Sequence, residues 1–218
     1  MNGLFNLDSP FMQFLTKVAD LMILNVVYLV FCIPIFTIGA ATTALYRVML
    51  NYEKDETANP ARQFWSAFRA NLKSATILFL IMLIPLAIAV YYVLFILAAT
   101  YNGPSAFLII CCVAVLLIMM LWSFLWPMQA QFENSIGNTI KNAALLSVGH
   151  FPIAVLMSVI NLFPLLLLSF LPEVFLRISI LWIAFGFSLA AKINTKLILK
   201  VFKPFLQVVV AETSEDNT

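Results

Sequence analysis

Five apolar stretches, each close to twenty residues long and nearly free of charge, leave this chain few folds outside a lipid bilayer. They run over residues 21–38, 75–99, 106–126, 151–171 and 174–191. About twenty residues at roughly 1.5 Å of rise each cover the roughly 30 Å of hydrocarbon in a membrane. The second and third stretches hold no Lys, Arg, Asp, Glu or His. That is the pattern expected where a charge at the bilayer centre costs about 2.5–3.5 kcal/mol on insertion scales. With 63% apolar residues, 10% charged residues and a mean hydropathy of +1.02, a water-soluble globule is excluded. The expected fold is an all-α membrane protein, a five-span transmembrane helical bundle with amphipathic cytoplasmic helices.

Twelve Lys and Arg against ten Asp and Glu leave a formal charge of +2, too balanced for a nucleic-acid binder. Their placement is informative. Arg47, Lys54, Arg62, Arg69 and Lys73 fall between spans one and two, Lys141 between three and four, and Lys192, Lys196, Lys200 and Lys203 after five. Only Lys17 and Arg177 fall on the other side. Because Lys and Arg near span ends stay in the cytoplasm, five alternating spans predict an outside N-terminus and a cytoplasmic C-terminus. Residues 39–74 and 192–203 then form basic cytoplasmic segments. Pro172 and Glu173 alone separate the last two spans, which reads as a tight helical hairpin with Arg177 snorkelling to the interface. The N-terminus lacks a basic region ahead of its apolar stretch, so no removable signal peptide is expected.

The larger cytoplasmic segments carry helical periodicity. In 61–73, Phe64, Trp65, Phe68 and Leu72 recur at helical spacing opposite Arg62, Ser66, Arg69 and Lys73, following Pro60. Such a helix suits the lipid surface before a turn into the second span. Phe132, Ile136 and Ile140 make a shorter stripe opposite Gln131, Asn134, Asn138 and Lys141. Aligning 63–78 with 131–146 matches five of sixteen positions, Gln63/Gln131 and Lys73/Lys141 among them, which raises a parallel internal repeat. GAATTA at 39–44 sets Gly39 with Thr43 and Ala40 with Ala44, small faces that suit close helix packing. The tail 211–218 is acidic and expected to be disordered.

Intramembrane polar groups are the default functional candidates. Asn25 and Asn161 are the amides deep in apolar surroundings, and Asp20 sits at the edge of span one. A structural role, bonding across helices or to backbone freed by Pro34 and Pro164, competes with solute contact. Arg62, Arg69 and Lys73 on one segment, and Lys192, Lys196, Lys200 and Lys203 on another, form candidate surfaces for anionic lipid or a partner. Cys32, Cys111 and Cys112 lie in apolar runs and read as small hydrophobes. With a single His, His150, and no clustered nucleophile or carboxylate pair, no enzyme, cofactor or metal site is expected.

The stretch from Leu4 to Tyr52 carries Asp8, Ser9 and Pro10, then Asn25, Cys32 and Pro34, then TIGAATTALY from Thr37 to Tyr46. It resembles the YesL-type family of bacterial integral membrane proteins, and QFWSAFRANLKSAT from Gln63 to Thr76 is similar to that family's aromatic-basic segment. The resemblance implies a multi-pass protein of a Gram-positive-type bacterial cell membrane. It further implies an accessory of carbohydrate uptake whose partners are a sugar permease of the ATP-driven class or its ATPase. The family brings no catalytic residues. A small solute transporter or permease subunit in its own right is the alternative, and an oligomer is left open.

Overall fold

The computed structural model describes residues 10–54, 59–98 and 106–215. Among the described residues the chain is all helix. α1 covers Pro10–Cys32, α2 Ile38–Tyr52, α3 Pro60–Ala98 and α4 Ala106–Gln131. α5 covers Ile136–Gly149, α6 Phe151–Phe170, α7 Pro172–Leu181 and α8 Phe187–Glu215. Five helical segments are long and apolar enough to cross a membrane: Phe11–Cys32, Pro60–Ile96, Ala106–Gln131, Phe151–Phe170 and Pro172–Pro204. The number matches the sequence expectation, and so does the class: this is an all-α, multi-pass membrane bundle. Its outward surface supports the same conclusion, since Ile84, Phe95, Ile110, Leu165, Phe170 and Ile180 are all exposed, a cost in water that lipid removes.

The largest departure from expectation is α2. The sequence places residues 39–52 in a cytoplasmic connection, yet with Ile38 they form the most enclosed helix, with ten residues buried between Gly39 and Leu50. Pro34 ends α1 rather than kinking it, standing in extended conformation ahead of a short 3-10 turn at Ile35–Thr37. The chain then doubles back. Tyr28 Oη lies 3.3 Å from Thr42 Oγ1, and Tyr52 Oη donates to Asp20. α3 reverses again, since Asn51 bonds Gln63 at 3.1 Å while Gly39 lies against Ala75 and Phe79. α1 and α3 therefore run in the same direction. Spans one and two, expected to alternate, instead run the same way, and the reversal between them is made by α2, which lies in the segment 39–74 expected to be a basic cytoplasmic connection.

Gly39 makes the α2–α3 crossing feasible. A Cβ there would stand 2.5 Å from the Ala75 carbonyl oxygen and 2.7 Å from Phe79 Cβ, so GAATTA is a close-packing face as its small residues suggested.

The segment 61–73 does not turn at the lipid surface. It is the first half of α3, a continuous 39-residue helix. Phe64, Ala67 and Phe68 are buried, with Phe31 set over both rings at 5.6 and 4.7 Å, while Trp65 and Leu72 face outward. The apolar side was drawn into the bundle because α1 and α2 offered it protein to pack on. Phe132 lies outside α5, in the 132–135 linker, and packs edge-on to Phe202 at 5.2 Å. The 63/131 alignment joins unlike settings. The first copy lies within unbroken α3, whereas the second starts at the end of α4 and crosses the break before α5.

α7 and α8 are joined by a π-turn at Trp182–Gly186. Here Gly186 leaves room for the Trp182 indole, whose Cδ2 would lie 2.5 Å from an added Cβ. Asp8 and Ser9 lie outside the described residues, as do 216–218 of the acidic tail; residues 211–215 form the end of α8.

Candidate functional site

Two polar clusters interrupt the apolar interior, and they differ in kind. The first is closed. Asn25, fully buried on α1, donates from Nδ2 to the Ile183 carbonyl at 2.7 Å and, at 3.5 Å, to that of Trp182. Its Oδ1 accepts from the Ser188 backbone N–H at 2.9 Å and from Ser188 Oγ at 3.2 Å. A π-turn frees carbonyls that an α-helix would satisfy, and one amide of α1 satisfies them. Asn25 thus bonds freed backbone as expected, but the backbone is freed by the π-turn and not by Pro34 or Pro164.

Asn161 belongs to the same interior. It donates to Ser123 Oγ at 3.0 Å and accepts from Asn194 Nδ2 at 2.8 Å; Asn194 also donates to Tyr46 Oη at 3.1 Å. Ser123 and Ser158 complete the line at 3.3 Å. Asn194 and Tyr46 were missed by sequence reasoning, Asn194 because it sits among the α8 lysines. These bonds tie α2, α4, α6 and α8 together across lipid-depth packing, where interhelical polar contacts act as glue. Asp20 stands apart from them, paired with Tyr52, whose phenol is pushed above its usual range by burial and then by the neighbouring carboxylate.

The second cluster is open. A cavity of about 700 Å³ lies where the C-terminal ends of α2 and α4 meet the first half of α3. On α3, Gln63, Ser66, Asn71 and Ser74 recur at spacings that place them on one face. α2 adds Arg47 and Asn51, and the end of α4 with its linker adds Gln129, Gln131, Glu133 and Asn134. Part of this wall is fixed. Arg47 donates to the Ala130 carbonyl at 2.8 Å. Gln129 donates to Ser74 Oγ at 3.1 Å and Asn71 Oδ1 at 3.3 Å, and accepts from Thr139 at 3.3 Å. Part is unspent: among the described residues, the side chains of Ser66, Gln131, Glu133 and Asn134 have no hydrogen-bond partner. A fixed inner wall with free donors and acceptors at its rim leaves this cavity with hydrogen-bonding capacity directed into open space.

None of the candidate site residues Asn25, Asn161, Asp20, Arg62, Arg69, Lys73, Lys192, Lys196, Lys200 and Lys203 lines this cavity, although Arg47, Gln63, Ser66, Gln131 and Asn134, noted in sequence only for charge placement and helical periodicity, do. Arg62, Arg69, Lys73, Lys196, Lys200 and Lys203 are exposed on the outside of the bundle, and Lys192 is half-buried. The cavity's polar residues had been passed over as ordinary cytoplasmic polarity, because no sequence-local motif joins 47, 51, 63–74 and 129–134. Among the described residues, no three His, Cys, Asp or Glu side chains converge.

The fold and these clusters define a polytopic helical membrane protein with a polar pocket at one end of its bundle. Residues 21–96 match the family described as "Protein of unknown function, DUF624". The match spans the second half of α1, all of α2 and nearly all of α3, and so includes the α2 and α3 walls of the cavity. No curated protein and no solved structure matches the chain.

Proposed function

We propose that the protein is a non-enzymatic accessory of carbohydrate uptake in a bacterial cell membrane, and that the pocket between α2, α3 and α4 takes a neutral, hydroxyl-rich solute. The observation that carries this reading is the pocket's lining. In a chain 63% apolar, this cavity collects amides and hydroxyls, with Arg47 and Glu133 as its single cation and single anion. A lining of balanced charge favours a neutral guest, since a buried net charge needs a matching one. Dense amide donors and acceptors suit many hydroxyls at once. The resemblance to the YesL-type family supports a sugar as that guest and a sugar permease or its ATPase as the partner, reached through the basic faces of α3 and α8.

Titrating detergent-purified protein with neutral mono- and oligosaccharides, and with amino acids as controls, tests the reading by thermal melting. A sugar should raise the melting temperature, and Gln131→Leu with Asn134→Leu should require about tenfold or more sugar to reach the same shift. A melt indifferent to every sugar overturns it. Solute uptake by the protein alone in liposomes would instead establish the rival transporter reading.

The same reading extends to orientation. With α1 and α3 running in the same direction, Lys17 joins the cations at the pocket's end of the bundle, and Arg177 alone marks the far end. Eleven of the twelve Lys and Arg then fall on one side, a sharper bias than alternation through five spans allowed. By the positive-inside rule that side is cytoplasmic; because α2 returns the chain toward the side where α1 began, the α1–α2 hairpin adds no net crossing, and the four remaining spans leave the start of α1 and the end of α8 both inside. Single cysteines at Lys17 and Lys203, in a chain with Cys32, Cys111 and Cys112 replaced, should both resist an impermeant thiol reagent in intact cells and react after permeabilisation. Labelling of Lys17→Cys from outside would return the N-terminus to the exterior.

A further inference from the structure

A second cavity, about 630 Å³ and mostly apolar, opens on the outside of the bundle between the 3-10 turn and α3. Phe36, Leu72 and Ile77 form its exposed apolar walls over the buried Phe68 ring, and Arg69 and Lys73 are its only charged residues. We propose that this groove is a site for one anionic phospholipid, with the headgroup phosphate held by Arg69 and Lys73 and the acyl chains laid on the apolar walls. This inference is independent of the solute pocket.

Three observations carry it. Arg69 and Lys73 are i and i+4 on α3, so they stack one turn apart on a single face, roughly 5–6 Å between Cβ atoms. That is a spacing two cations need to share one phosphate. No acidic residue lines the groove, so neither cation is neutralised there. Depth also fits. Lys73 is the last charged side chain of α3, and from Ser74 to Ala98 the helix holds no Lys, Arg, Asp, Glu or His. A headgroup at Lys73 therefore lies where the hydrocarbon begins. Trp65, with Arg69 at 5.7 Å from its ring centroid, is exposed beside the site, at the level where amphipathic rings settle in membranes. The neighbouring Ile33 and Ile35 are exposed at 76% and 68%, apolar surface that only acyl chains would cover.

The test compares phosphatidylglycerol, phosphatidylcholine and free glycerol phosphate added to delipidated protein, read by native mass spectrometry and thermal melting. Phosphatidylglycerol should bind in preference to phosphatidylcholine. At about a factor of five per cation, Arg69→Gln with Lys73→Gln should weaken it roughly 30-fold. Lys196→Gln with Lys200→Gln, on exposed α8 lysines, should leave it unchanged. Equal binding of phosphatidylglycerol and phosphatidylcholine, or equal losses in the two double variants, overturns the site. Glycerol phosphate competing as strongly as the intact lipid would also overturn it, in favour of a soluble-phosphate site.

Discussion

Tyr46 and Arg47 are neighbours on α2 and serve opposite ends of its chemistry. Tyr46 is buried and receives Asn194 in the closed interior network. Arg47 reaches Ala130 on the wall of the open pocket. Both clusters are rich in amides, so amide content does not separate structure from function. What separates them is where spare capacity faces: in the closed network the one unbonded amide atom is the buried Asn194 Oδ1, whereas the pocket's spare groups line an open cavity. Asn25 uses both ends of its amide on the π-turn and Ser188, whereas Gln131 and Asn134 offer theirs to a cavity. In lipid, a closed network is glue; a pocket with spare donors and acceptors at the end of the bundle is a place for a guest.

Gly39 supports both clusters, because it seats α2 against α3. Gly39→Leu should have the largest effect, about 3 kcal/mol, the upper part of the range for overpacking, since the obstructing atom is a backbone oxygen that cannot rotate away. It should depress thermal melting in detergent and abolish solute binding together. A variant that melts normally would mean the α2–α3 crossing is looser than described.

Asn25→Leu comes next. It fits the space approximately but strands the Ile183 carbonyl and the Ser188 N–H, at a cost of about 2 kcal/mol. Asn194→Leu should cost less, about 1 kcal/mol, in line with measured interhelical bonds in membranes, because its own Oδ1 is already without a partner. If either variant lost solute binding while keeping its melting temperature, the closed network would be part of the site and the division drawn above would fail.

Much of the bundle could be read before any coordinates, and the reason is physical. Hydrocarbon forbids charge over about twenty residues, so the long helices announce themselves by what they lack. α2 does not. Its 15 residues are too short to span, and it carries Arg47, so only its neighbours α3, α4 and α8 make it a core helix. The small face at Gly39 to Ala44 was visible as packing surface, but not the helix it would pack on. The π-turn's partner is Asn25, more than 150 residues away, and no local pattern links them. The pocket was hidden for a similar reason: its residues come from three segments far apart in sequence, and the helical periodicity within each says nothing of which polar faces meet.

The smallest effect on stability is the most discriminating. Gln131→Leu with Asn134→Leu removes side chains that make no hydrogen bond among the described residues, at the half-buried rim and not in the core. Surface changes of that kind usually stay within about 0.5 kcal/mol. The melting temperature without ligand should barely move, while affinity for the bound sugar should fall about tenfold or more, as each unmade hydrogen bond to a polar guest costs about 1 kcal/mol. Asn71→Leu supplies the contrast within the same cavity. Asn71 accepts from Gln129 and donates to the Ala67 carbonyl at 3.0 Å, so its loss should lower stability and affinity together. If the rim pair proved destabilising and Asn71 silent, the spent and unspent groups would have been assigned the wrong way round, and the cavity would be a strut between α3 and α4 with no guest of its own.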